Sequence, residues 1–264
     1  VFGTFHLPGG GIEEPGPLVS GLVAQSRMVF VEVDEAGLQT ALGNFVLNPG
    51  ALMRTDGRLL SDVMSAEDLA AARALFDAYG LPFHIANRLR PGVLAIMMSV
   101  PLCAQNTWPP KPGLDVRIER IARENGIPVK ALETAEEQFQ ALLGDDDADG
   151  DRLLRAMLPM AESTAESLHT YRALYRTRHV GAVWSLSVAS VEDALGAEEA
   201  RLLLDRIWDA LLRKRNAKML ATMLPALRQG GVFAAVGALH LVGEDGLISL
   251  LEEADFTLAQ VPGG

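Results

Sequence analysis

Two histidines and two glutamates occupy the positions from which α/β proteins do chemistry. Val1-Phe-Gly3-Thr-Phe-His6 and Val232-Phe-Ala-Ala-Val-Gly237-Ala-Leu-His240 are apolar runs that each finish in Gly-x-x-His. Glu32 stands at the end of the run Met28-Val-Phe-Val, and Glu133 directly follows Pro128-Val-Lys-Ala-Leu132. Two imidazoles with one or two carboxylates form an N/O donor set suited to a divalent transition metal. His6, Glu32 and His240 are the candidate ligands. Such a metal keeps positions open for water and substrate, lowers the pKa of that water and polarises a carbonyl. Glu133 is then the candidate general base, and Arg215 or Asn216 the candidate stabiliser of a developing oxyanion. Several carboxylates in one crevice repel one another unless a cation joins them. Taken singly, either histidine reads as a structural residue bonded to a loop; it is their matched context that points to a site.

These residues converge only if the apolar runs are neighbouring parallel strands. A run with no polar alternation reads as a strand buried on both faces. Strand, helix 18–26 and strand 28–33 in so short a span form a βαβ unit with a right-handed crossover. Pro128–Leu132 is a third strand, and Thr134 with Glu137 forms a capping box at the start of the helix that follows it. The sequence therefore predicts an α/β fold with a central, mostly parallel sheet, whose ligands sit at the carboxyl ends of the strands. Mainly helical insertions are expected at about 35–113 and 145–228 within one domain, 1–264. Ser65-Ala-Glu-Asp68 caps a helix to Tyr79, 93–104 reads as a buried helix, and Ala197 to Leu227 reads as one long helix carrying Arg213-Lys-Arg-Asn216. Leu114 to Asn125 carries a helical apolar stripe, and Phe256–Val261 is expected to be a last strand.

Composition narrows the function. The formal charge of −11 and pI near 4.9 argue against nucleic acid, which needs a basic footprint. The lone cysteine, Cys103, excludes an internal disulfide and cysteine-based metal sites; it reads as a core residue. No stretch reaches the ~20 apolar residues that span a bilayer. The chain opens on Val1 inside a strand, which predicts that a preceding segment has been removed. Asp145-Asp-Asp-Ala-Asp-Gly-Asp151 matches the first half of a calcium loop, but Ala156 stands where a bidentate Glu is needed; it reads as a solvated acidic turn capping the next helix. Trp108-Pro-Pro-Lys-Pro112 reads as a rigid connector, and His84, His169 and His179 have no metal-type spacing.

Gly3-Thr-Phe-His6, Phe30-Val-Glu32-Val-Asp34, Leu114-Asp115, Leu132-Glu133-Thr-Ala-Glu136-Glu137-Gln138, Arg215-Asn216 and Val236-Gly-Ala-Leu-His240-Leu-Val-Gly243 together resemble the TraB/GumN family. That family is related to the Tiki metalloproteases and more distantly to erythromycin esterase and the ChaN haem-binding proteins. The resemblance spans the chain in order and implies an α/β core with helical insertions. From the Tiki branch it implies a metal-dependent peptidase acting on a peptide or protein, with manganese or cobalt favoured; zinc also suits the donor set. It maps the active residues to His6, Glu32 and His240, with Asp115, Glu133, Glu136, Gln138, Arg215 and Asn216 at other recurrent positions. It implies a secreted, periplasmic or lipid-anchored protein, and a further strand before the first Gly-x-x-His that this chain lacks or has truncated. The alternative expectation is a non-catalytic crevice for haem or a peptide, since histidine is a common haem ligand.

Overall fold

The computed structural model describes residues 1–7, 12, 14–102, 113–144 and 146–261. Cys103, the proline-rich connector, the Gly9–Gly11 run and Asp145 lie outside the described residues.

The apolar runs become four parallel strands: β1 (Phe2–Thr4), β2 (Met28–Val31), β3 (Val129–Ala131) and β4 (Val232–Gly237). Their order is β1-β4-β2-β3. Thus β4, the last in sequence, lies between β1 and β2, pairing Gly3 with Val236 on one side and Phe30 with Ala234 on the other. Side chains alternate across β4, as the pleat requires. Phe233 and Ala235 join Val19, Val23, Ile118 and Ala122 on one face. Ala234 and Val236 join Met219, Met223 and Leu247 on the other. Helices Pro17–Ala24 and Leu114–Glu124 cover the first face, and Lys214–Leu227 and Leu247–Glu253 the second. The result is a three-layer α/β/α sandwich, as the continuous apolar runs require.

The outer edge of β1 is held from the helical region. Tyr175, on the helix Thr164–Arg176, donates to the Gly3 carbonyl at 2.7 Å, and its ring packs on Phe5. That helical region builds apolar clusters of its own, one around Leu60, Phe76, Leu94 and Leu154, another around Ala156, Val191 and Leu203.

Four expectations need correction. Residues 256–261 form no strand; they have no regular structure after Asp255, which takes φ 67°, and the segment is largely exposed, so no buried face holds it to a sheet. The acidic stretch is not wholly solvated. Asp146 caps the helix Asp147–Met157 as expected, but Asp147 and Asp151 are buried. Asp151 pairs with Arg54 at 2.7 Å, and Asp147 accepts from Thr55 and faces Arg90. The long helix is also not uniform: a π-helical segment, Asp209–Arg213, separates Ala197–Trp208 from Lys214–Leu227. The buried helix near residue 93 spans Pro91–Ser99, ending before Pro101.

Candidate functional site at the strand ends

Each strand delivers one residue to the carboxyl edge of the sheet. His6 lies two residues beyond β1, Glu32 directly after β2, Glu133 two beyond β3, and His240 in the tight turn Ala238–Leu241 that follows β4. Glu32 is the centre. Its Oε1 accepts from the backbone N–H of Gly237 and lies 3.9 Å from His6 Nε2 and 3.7 Å from His240 Nε2. Its Oε2 accepts from Arg215 at 2.9 Å and from Gln138 at 3.1 Å. Gly237 explains how the groups come so close. A Cβ there would stand 2.9 Å from His6 Nε2, 3.0 Å from Glu32 Oε1 and 3.6 Å from His240 Cδ2, so its absence opens the space the three donors share.

The surrounding elements hold these groups in place. Glycine at position 113 lets the helix Leu114–Glu124 start against His6, since a Cβ at Gly113 would meet the His6 carbonyl at 2.4 Å. That start brings Asp115 Oδ1 to 3.3 Å from His6 Nδ1. The predicted capping box at Thr134 and Glu137 forms, and the helix it opens, Ala135–Leu143, carries Gln138 to the glutamates. Behind His240, Asn216 Oδ1 stands 2.6 Å from its Nδ1.

Charge balance follows from burial. Glu32 and Glu133 are buried carboxylates, which is costly unless compensated. The cation is supplied by the chain: Arg215 donates to both oxygens of Glu133 and to Glu32. Burial would raise the Glu32 carboxyl, but the facing imidazoles, Arg215 and the Gly237 N–H together hold it below its ordinary value. The two histidines diverge. Burial pushes His240 down to about 4, against the pull of Glu32, so it is neutral at pH 7. For His6 desolvation is outweighed by the facing Asp115 and by Glu32, raising it to about 9; with 54% of its side chain exposed, the neighbouring carboxylates matter more than desolvation.

The donor chemistry fits a divalent metal: His6, Glu32 and His240 surround a space that one methyl group would fill. In a four-coordinate site with bonds of about 2.1 Å, neighbouring donors lie about 3.4 Å apart. Here the separations from Glu32 are somewhat wider, and among the described residues no group of three His, Cys, Asp or Glu is drawn in tightly enough to hold an ion as it stands.

The structure brings together His6, Glu32, Glu133, Arg215, Gln138 and His240, with Asp115 and Asn216 behind the imidazoles. Glu136 stays outside, 3.4 Å from the Asn44 amide. His84, His169 and His179 are exposed, the first two on helices and His179 in the connection between Thr164–Arg176 and Gly181–Leu195. Two contributors escaped the sequence reading. Gly237 was seen only as part of a turn, and Asp245 only as part of a helix-opening turn, although its carbonyl holds Asn216. A doubly wound sheet with an acid, an arginine and two imidazoles at its strand ends defines an α/β protein with a polar centre at the carboxyl edge. Residues 1–260 match the model of the TraB/PrgY/gumN family, and the chain belongs to that family. No match was found among curated proteins or solved structures.

Proposed function

We propose that this crevice is the active centre of a metal-dependent hydrolase that cleaves peptide bonds. The observation that carries the proposal is the approach of both Nε2 atoms, 3.9 and 3.7 Å, to one oxygen of Glu32 across the space beside Gly237. His6, Glu32 and His240 would hold the ion. A divalent metal there would supply carbonyl polarisation and a water of lowered pKa; manganese, cobalt and zinc are the candidates. His240 is already neutral, whereas His6 must lose a proton before it can ligate.

The chain's own groups do the rest. Arg215, fixed by Glu133, Glu32 and the Leu211 carbonyl, is positioned to bind negative charge that develops on a substrate oxygen. Glu133, held through both oxygens by Arg215, anchors that guanidinium and is the candidate general base. The peptide substrate and an extracytoplasmic or lipid-anchored setting follow from the likeness of the Gly-x-x-His turns to the Tiki branch. No described helix is long and apolar enough to cross a membrane.

The test is calorimetric titration of the chelator-treated protein with Mn²⁺, Co²⁺ and Zn²⁺, followed by cleavage of a quenched-fluorescence peptide library. One strong site and metal-dependent cleavage are expected, both lost in His6→Ala and His240→Ala while the fold is kept. No binding of any of the three ions by wild type would refute the proposal.

A further inference from the structure

Asn216 is buried between His240 and the turn that follows it. Its Nδ2 stands 2.7 Å from the Asp245 carbonyl oxygen and its Oδ1 2.6 Å from His240 Nδ1. A backbone carbonyl only accepts, so the amide face turned to Asp245 is the NH₂ and the face turned to His240 is the oxygen. That oxygen requires a proton on Nδ1. A neutral imidazole carries one N–H, so Nε2 is left with its lone pair, and Nε2 is the atom that faces Glu32 Oε1. Two electron-rich atoms thus confront each other across the space beside Gly237, an arrangement made for a cation between them.

The Asp245 carbonyl is itself fixed. Its residue sits in the turn Gly243–Gly246, where Gly243 takes φ 87° and the Gly246 N–H donates to the Gly243 carbonyl. The Asp245 carboxylate accepts from Trp208 Nε1 at 2.9 Å and from Arg213 Nε at 3.2 Å, the residues that flank and close the π-helical segment. Outer partners of this kind set the tautomer and orientation of a ligating histidine.

We infer that Asp245 and Asn216 form a positioning pair that locks His240 in its Nδ1–H tautomer and presents the Nε2 lone pair to the crevice. Asn216 is then a positioning residue rather than an oxyanion donor, because both ends of its amide are committed. The purpose of the pair rests on the metal-hydrolase reading; the tautomer itself does not.

The test is ¹⁵N NMR of the imidazoles in the metal-free protein at pH 7.5, with His240 assigned by its loss in His240→Ala. Wild type is expected to show protonated Nδ1 and a lone pair on Nε2. Asn216→Asp, which loses the donor to Asp245 but keeps an acceptor, is expected to keep the proton on Nδ1. Asn216→Leu, which removes it, is expected to lose the pattern and to bind Zn²⁺ 10- to 100-fold more weakly by calorimetry. A wild-type His240 protonated on Nε2 would overturn the inference even if Asn216→Leu fails to fold. An unchanged tautomer or unchanged zinc affinity in a folded Asn216→Leu would overturn it as well. Absence of zinc binding in wild type alongside the stated tautomer would sink the metal reading and leave the tautomer assignment standing.

Discussion

Replacing Gly237 by Ala tests whether the space between the donors is what the protein has preserved. The backbone at Gly237 has φ −52° and ψ 136°, which an L-residue adopts without strain. Fewer unfolded conformations would add about 0.4–1 kcal/mol of stability. Against this, the new methyl group would stand 3.0 Å from Glu32 Oε1 and 2.9 Å from His6 Nε2. His6 is half-exposed and can swing away, whereas Glu32 is buried and tied on both oxygens. Overpacking of this sort costs about 1–3 kcal/mol, so the metal-free variant should range from about equal in stability to about 2.6 kcal/mol less stable. Metal binding should suffer far more, because the methyl takes the position where the ligands meet. A metal at a hundredfold excess over its Kd stabilises the native state by about 2.7 kcal/mol, which for a chain of this size is a rise in Tm of about 5–11 °C. Thermal unfolding of wild type and Gly237→Ala, with and without Mn²⁺ or Zn²⁺, is the assay. A rise in wild type that is abolished in the variant is expected. An equal rise in both would refute the assignment of this space to the ion.

Other expectations concern stability. In the metal-free protein the two histidines bias the pH profile in opposite directions. His6, raised to about 9, contributes stability that is complete below its unfolded pKa of about 6.5 and is lost as pH rises through 9. His240, lowered to about 4, binds fewer protons native than unfolded between 4 and 6.5, so stability falls as pH drops through that window. Urea unfolding from pH 4 to 10 should show His6→Ala flattening the alkaline limb and His240→Ala the acid limb, and unchanged limbs would refute the assignments. Asp147→Ala should destabilise by about 3–5 kcal/mol in urea, since it leaves Arg90 beside an emptied site and frees the Thr55 donors; a loss under 1 kcal/mol would show the cluster to be dispensable. Glu119→Ala should cost about 1–3 kcal/mol, because the buried Glu119 accepts from the Glu35 N–H at the start of the helix Glu35–Leu47; a chemical melt matching wild type would refute that role.

What the sequence made legible was local. Apolar runs marked β1, β2 and β4, a short run broken by Lys130 marked β3, and chemistry-bearing residues close after them marked the site, because these signals lie within a few neighbouring positions. The order of the strands was not legible, since the insertion of β4 between β1 and β2 is a pairing across more than two hundred residues. Distance also hid the partners of Asp147 and Asp151, whose arginines lie far upstream, so charges that look solvated in sequence are buried in the fold. Residues 256–261 failed as a strand for the opposite reason: the local pattern was suitable, but no buried surface received it. Arg215 and Asn216 were recognised as a pair, yet their separate duties depend on the π-helical segment before them and on the turn at Asp245, neither of which leaves a mark in a run of charged residues.

The position of β4 has a consequence for how the protein is made. Synthesis proceeds from the amino end, so the two strands that must flank the middle of the sheet emerge first and wait for the strand that joins them. Among the described residues β1 pairs with β4 alone, so a nascent chain that stops short of residue 232 has a first strand with nothing to lie against. His6 and Glu32 have by then left the ribosome, but the crevice has neither its floor at Gly237 nor its second imidazole. Assembly of the site is thereby tied to β4: a chain that stops short of it carries His6, Glu32, Glu133 and Arg215 without Gly237 or His240, and β4 with the turn after it turns a collection of side chains into a centre.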